Sequence, residues 1–191
     1  MTKYLLTQEQ KEWAWKYVQE NSIANRGDKT DGSKKQQYEG ILGEVVFADM
    51  FGLKRPGKKG FDNGIDFTLL DVAIDVKTMG RDCDVRDYFT NNLFASQVEG
   101  ENYKNDIYLF ASINRTTSQL EFTGWVKKID VLNRVTGIGY FEDGEERKRS
   151  NGTTFKVRGG LYEVPNKFLN KFGTPDGFLM DIGGLAHPSN F

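Results

Sequence analysis

The stretch that decides the fold is Gly64-Ile65-Asp66-Phe67-Thr68-Leu69-Leu70-Asp71-Val72-Ala73-Ile74-Asp75-Val76-Lys77-Thr78. It holds two short strand patterns, Ile65–Leu70 and Val72–Thr78. In the second, Val72, Ile74 and Val76 alternate with Ala73, Asp75 and Lys77. Alternate side chains of a strand leave by opposite faces, so one face is aliphatic and the other carries Asp75 and Lys77 together. A tight hairpin centred on Leu70-Asp71 would set Asp66 directly opposite Asp75, with Cβ atoms roughly 5 Å apart. Leu-Asp is not a favoured two-residue hairpin turn. A slip of one residue would send the two carboxylates to opposite faces. In the unslipped register, two like charges stand side by side, which is destabilising unless something compensates both. A bound divalent cation would do so, and Lys77 has the reach to sit beside the same point.

A third carboxylate, Glu44, lies in the helical pattern Tyr38–Phe51, which stops at Gly52. Tyr38, Ile41, Leu42, Val45, Val46, Phe47, Ala48, Met50 and Phe51 make that helix apolar on nearly every side, so it should be buried on most of its surface. A charge in such surroundings is costly without a partner. Gly40 and Gly43 precede it, and each glycine costs a helix up to about 1 kcal/mol relative to alanine. That cost makes sense if the helix must approach the sheet or a phosphate backbone closely. Glu44 would then be delivered to the edge of the site. Carboxylates and a lysine around a hard cation suit phosphodiester hydrolysis, with the Val76 carbonyl able to complete the coordination.

Outward from this centre, Thr7 and Gln10 fit a capping box at the start of a first helix over residues 7–25. Residues 25–36 are polar with two glycines and read as a loop. Residues 107–113 and 120–126 are strand patterns, paired through the turn 114–118. Short helices are expected at 129–134 and 166–172, short strands at 155–157 and 161–164, and a charged surface loop at 142–152. The order of elements favours a mixed α/β domain built on a sheet. Residues 1–191 read as a single domain, with a core over about 38–126 and a C-terminal extension over 127–191.

The 191 residues carry 26 Lys and Arg against 27 Asp and Glu, a net charge of −1, so there is no global signature of nucleic-acid binding. With 38% hydrophobic residues the chain can fold around a core. It lacks any run of about 18 apolar residues, so no membrane span is expected. No secretory signal is visible and Cys83 is the single cysteine, so an intracellular, cytoplasmic location is expected. The single histidine, His187, argues against His-based catalysis or a multi-His metal centre. A metal would be held by carboxylates, which favours Mg²⁺.

At these residues the sequence resembles the PD-(D/E)XK nuclease superfamily. Gly40-Ile41-Leu42-Gly43-Glu44 looks like its helical Glu motif, Gly64-Ile65-Asp66 like its first-strand Asp, and Asp75-Val76-Lys77 like its D-X-K signature. Ile65 stands where the first motif usually has Pro. Asp62 is a rival for the first Asp, but it lies in a Gly/Asn turn, whereas Asp66 sits inside the strand pattern. The Phe122–Val126 strand and Tyr162–Pro165 are similar to small phage-type and Holliday-junction-resolvase-like members. The resemblance implies a restriction-endonuclease-like mixed β-sheet flanked by helices. It implies Mg²⁺, or Mn²⁺ in its place, on Asp66, Asp75 and Val76 with Glu44 supporting, and Lys77 acting on the nucleophilic water. The implied activity is a deoxyribonuclease, endonuclease rather than exonuclease, on duplex or branched DNA, and a homodimer would suit cutting of two strands. Gln97 resembles the polar residue the family often carries after the D-X-K strand.

Local basic groups at Lys34-Lys35, Lys54-Arg55, Lys58-Lys59 and Arg147-Lys148-Arg149 would contact DNA phosphates or be solvated loops. Lys54, Arg55, Lys58 and Lys59 are the best of these, because they lead into the strand bearing Asp66. Two competing functions remain: a non-catalytic nucleic-acid-binding or assembly module on the same fold, and a Mg²⁺-dependent nucleotide phosphohydrolase. The absence of a P-loop pattern counts against the second.

Overall fold

The computed structural model describes residues 2–21, 33–57, 63–135, 137–148 and 152–186. Its centre is a five-stranded mixed sheet ordered β1-β6-β5-β3-β2. These strands are β1 (Lys3–Leu5), β2 (Phe67–Leu69), β3 (Val72–Arg81), β5 (Ile107–Asn114) and β6 (Gln119–Lys127). β3 and β5 run parallel; every other neighbour is antiparallel. A second sheet, β4-β10-β7, joins β4 (Thr90–Phe94), β10 (Leu161–Pro165) and β7 (Gly139–Phe141). A separate hairpin pairs β8 (Glu146–Lys148) with β9 (Thr154–Lys156), inside the segment expected as a loop.

Alternation along β5 explains the layering. Ile107, Leu109, Ala111 and Ile113 point into one core with α1 (Gln8–Glu20), α2 (Lys34–Met50) and α5 (Pro175–Ala186). Tyr108 and Phe110 point into a second core with Leu93, Val98, Val131, Tyr162 and Val164, which come from β4, β10, α3 (Ala95–Glu99) and α4 (Lys128–Leu132). A sheet covered on both faces needs strands that are apolar without interruption, and β5 is buried from Ile107 to Ile113.

The capping box at α1 forms as expected, with Thr7 Oγ1 accepting from the Gln10 N–H and the Gln10 side chain accepting from the Thr7 N–H. A second box, Ser33 with Gln36, starts α2 before the expected Tyr38, which draws Lys34 and Lys35 into its first turn. The helix expected at 166–172 is only a 3-10 turn over Asn166–Phe168. α5 was not expected at all, yet its Phe178 and Ile182 are fully buried in the main core. The C-terminal region is therefore part of the core rather than an extension: β10 is the middle strand of the second sheet and Phe172 packs on Phe122 and Phe178.

Candidate metal and phosphoryl-transfer site

The hairpin forms in the unslipped register, pairing Phe67 with Ile74 and Leu69 with Val72. Leu70 and Asp71 both take positive φ, 48° and 62°. This is the left-handed pair that a two-residue hairpin turn requires, adopted here without the glycine or asparagine that usually relieves it. One step before β2, the Asp66 N–H donates to the Ile74 carbonyl at 2.9 Å, which brings Asp66 opposite Asp75. β2 ends there, so the Val76 N–H has no strand partner on that side. The Asp66 carboxylate takes its place, with Oδ2 accepting from Val76 N at 2.8 Å.

The carbonyls of Ala73 and Arg81 accept from Asp106 and Arg115 on the β5 side. Odd-numbered residues of β3 thus turn their backbone groups to β5 and even-numbered ones to the β2 side. The Val76 carbonyl therefore points toward the side from which Asp66 approaches, as a ligand there would have to.

Asp75 and Lys77 share the face opposite the aliphatic Val72, Ile74 and Val76. Asp75 is only 3% exposed, and Lys77 Nζ lies 2.9 Å from its Oδ2. The contact is an ion pair without hydrogen-bond alignment, and Asp75 Oδ2 is left with no hydrogen-bond partner. Burial pushes the Asp75 carboxyl up to about 7; the Lys77 ammonium pulls it back, and the Asp66 charge adds to the rise. Lys77 moves the other way. Burial works to lower it, but the Asp75 and Asp66 carboxylates outweigh that and hold it above the ordinary lysine range.

The donor set fits a hard cation that keeps several of its waters: two carboxylates, one of them with an unsatisfied oxygen, and one strand carbonyl. Among the described residues no group of three or more His, Cys, Asp or Glu side chains gathers around one point. Glu44, expected as the third carboxylate, is 8% exposed. It lines a cleft between α1 and α2 with Tyr17, Val18, Asn21, Gln37, Gly40 and Ile41. The physical reason is helical phase. Gly43 is the residue of α2 that abuts β3, so close that a Cβ there would meet Thr78 Oγ1, and Glu44 follows it about 100° further round the helix. Gly43 thus serves the close approach expected of it, whereas Gly40 faces open space.

The basic residues divide. Arg55 is not available for phosphate. Its guanidinium spans Glu9 and Asp49, at 2.5 and 2.6 Å, and lies over the Trp13 ring, tying α1 to α2. Lys54 is exposed. Lys58 and Lys59, with Asp62, Arg149 and His187, lie outside the described residues. Arg147 pairs with Glu163 and stacks on Phe141. Gln97 reaches the neighbourhood through its backbone, its carbonyl accepting from Tyr108 Oη at 3.3 Å.

Four neighbours of the pair carry no sequence signal. Tyr108 is the register partner of Asp75 across the parallel β3–β5 ladder; burial lifts its phenol above the usual range, with the Asp75 charge adding to the rise. Asn105 is buried just before β5. Lys128, the first residue of α4, donates from Nζ to the Tyr103 carbonyl. Its ammonium is lowered by burial and by Lys104, while Asp75 and Asp106 oppose the fall. Tyr103 packs its ring on Gly64. All four reach the site through chain segments far from it in sequence, so no local pattern could have found them. Comparison with known proteins gives no match: no family model, no curated protein and no solved structure is significantly similar to this chain.

Proposed function

We propose that this protein is a Mg²⁺-dependent nuclease that hydrolyses DNA phosphodiester bonds on a restriction-endonuclease-like fold. One observation carries the reading: Asp66 and Asp75 stand opposite each other on a hairpin, with Lys77 2.9 Å from a buried Asp75 oxygen that has no hydrogen bond. Such a carboxylate is costly in the chain alone and is explained by a cation. A hard divalent ion held by Asp66, Asp75 and the Val76 carbonyl would polarise a phosphoryl oxygen and lower the pKa of a bound water.

The chain's own residues divide the remaining work. Asp75 is fixed by its burial and Asp66 by its bond to the Val76 N–H. Both keep their geometry as charge develops. Lys77 is a cation here, because its two carboxylate neighbours hold the proton on it. Its role is therefore to orient the attacking water and to stabilise charge on the phosphate, rather than to remove a proton. Water adds to phosphorus as the P–O ester bond breaks, and the water's proton passes to solvent. The resemblance of the Glu44, Asp66 and Asp75-Val76-Lys77 motifs supports DNA as the substrate.

A second reading has one observation in its favour. Lys77 already neutralises Asp75 without an ion, as it would in a non-catalytic nucleic-acid-binding module. Incubation of plasmid, linear duplex, single strand and four-way junction with Mg²⁺, Mn²⁺ or EDTA separates the two. Metal-dependent cutting that Asp75→Ala abolishes is expected. DNA binding without cutting, equal in wild type and variant, would replace the nuclease reading with the binding module.

A further inference from the structure

The largest cavity among the described residues, about 530 Å³, opens beside the paired carboxylates where β3 and β5 begin. It is lined by Asp71, Asn105, Lys127, Lys128, Ile129 and Leu132, with Leu185 of α5 closing one side. The volume is that of a small-molecule site.

Its chemistry is mixed in a specific way. Asn105 is 3% exposed. Its Nδ2 donates to the Ile107 carbonyl at 3.2 Å, which fixes which way the amide faces, and its Oδ1 has no donor. A buried acceptor without a donor marks a place where one belongs. Nearby, Ile129 and Leu132 are large apolar side chains left exposed, and Leu70 at the hairpin turn adds a third. Inorganic phosphate would leave those apolar groups unused, and a hydrocarbon would leave Asn105 and the two lysines unused. A ligand with a flat, N–H-bearing face and an anionic group uses all of them, which is the description of a nucleotide.

The cavity is also joined to the carboxylate site. Lys128 lines it while feeling the Asp75 charge, and Asn105 stands next to Tyr108, the register partner of Asp75. Asp106, the remaining acid on the wall, is engaged elsewhere, its Oδ2 accepting from the Ala73 N–H at 2.8 Å.

We propose that this cavity takes one nucleotide unit of the substrate strand, its base against Ile129, Leu132 and Leu185 and donating to Asn105 Oδ1, its phosphate on Lys128. The substrate is then a strand with an unpaired or extruded nucleotide next to the scissile bond, because a base within a duplex stack cannot enter such a pocket. The assignment rests on the nuclease reading for the identity of the strand, but not for the binding itself.

The test is titration of the full chain in EDTA with deoxynucleoside monophosphates, deoxyribose 5-phosphate and inorganic phosphate, followed by calorimetry and by the NMR signals of the Asn105 side-chain amide. Ile129→Glu, at an exposed position, and Asn105→Leu are the variants. Saturable binding of the nucleotides is expected, about tenfold tighter than deoxyribose phosphate and weakened about tenfold by Ile129→Glu. The Asn105 amide signals should shift with nucleotide only. On a cleavable single-stranded oligonucleotide, Ile129→Glu should raise KM and leave kcat nearly unchanged. Equal binding of nucleotide and phosphate, or binding that Ile129→Glu leaves intact, would overturn the pocket. Cleavage of oligonucleotides with unaltered KM in Ile129→Glu would overturn it too, while leaving the nuclease reading standing. Nucleotide binding in a chain that cuts nothing would leave the pocket and remove the nuclease.

Discussion

Replacing Asp75 with Asn tests whether the buried carboxylate is there for a cation or for Lys77. The Asp75 carboxyl is raised from 3.8 to about 7, chiefly by burial. A raised carboxyl favours the fold when protonated. Its unfavourable contribution is absent below pH 4, grows as the pH rises from about 4 to 7, and is complete above 7. The gap between 3.8 and 7 is worth at most about 4 kcal/mol, and the attraction to Lys77 makes this a ceiling. Asp75→Asn keeps the shape and removes the titration. In EDTA at pH 8 the variant should therefore be more stable than wild type, by up to about 4 kcal/mol. In a protein of this size that is several degrees in Tm, at about 2–4 °C per kcal/mol. The gap should close as the pH falls to 4. Adding Mg²⁺ should raise the Tm of wild type and leave the variant where it was. Thermal unfolding of both proteins from pH 4 to 8, with EDTA and with Mg²⁺, reads all of this. A variant less stable than wild type at pH 8, by an amount independent of pH and of Mg²⁺, would show that Asp75 and Lys77 are a net stabilising ion pair, and the argument for a cation would fail.

Lys77→Arg should retain a substantial part of the cleavage rate and Lys77→Met should lose about 10²–10³-fold; equal losses in both would return Lys77 to the role of a base, since Arg does not deprotonate. Leu70→Asn with Asp71→Gly should stabilise the protein by about 1 kcal/mol without changing the sheet, because both positions have positive φ; an unchanged or lowered melting temperature would count against strain at the turn. Gly43→Ala should destabilise by about 1–3 kcal/mol through overpacking on Thr78, and Thr78→Ala, whose hydroxyl has no partner, should recover part of the loss in a denaturant titration. Arg55→Ala should lower the melting temperature and leave the salt dependence of DNA binding unchanged; a shallower salt slope would mean that Arg55 contacts phosphate after all.

The parts of the fold that local chemistry dictates were legible. The alternation Val72-Ala73-Ile74-Asp75-Val76-Lys77 and the length of the turn after Leu69 are enough to place Asp66, Asp75 and Lys77 together, although Leu70-Asp71 is a poor pair for that turn. The apolar runs 107–113 and 120–126 likewise read as strands. α5 was hidden because Pro175, Gly177, Gly183 and Gly184 look like loop residues, whereas Pro is well placed at a helix start and Phe178 and Ile182 gain enough from burial to offset the glycines. The position of Glu44 was misjudged for a different reason. A helix that is apolar all round gives no phase, so the sequence could not say that Gly43 rather than Glu44 would meet the sheet. Arg55 appeared free because its partners, Glu9 and Asp49, approach only when α1 packs on α2. Tyr108, Asn105 and Lys128 depend on β3 and β5 pairing in parallel, and no short-range pattern encodes such a pairing.

The coverage of β5 on both faces has a kinetic consequence. Neither core is complete until residues distant in the chain arrive: Leu6 and Phe178 on one side, Leu93 and Tyr162 on the other. Loop closure over such separations comes late and slowly. The β3–β5–β6 ribbon would spend its early life with two hydrophobic faces uncovered, prone to self-association until α5 docks. Once docked, it should be the last region to yield its amide protons to solvent, opening only when the whole molecule does.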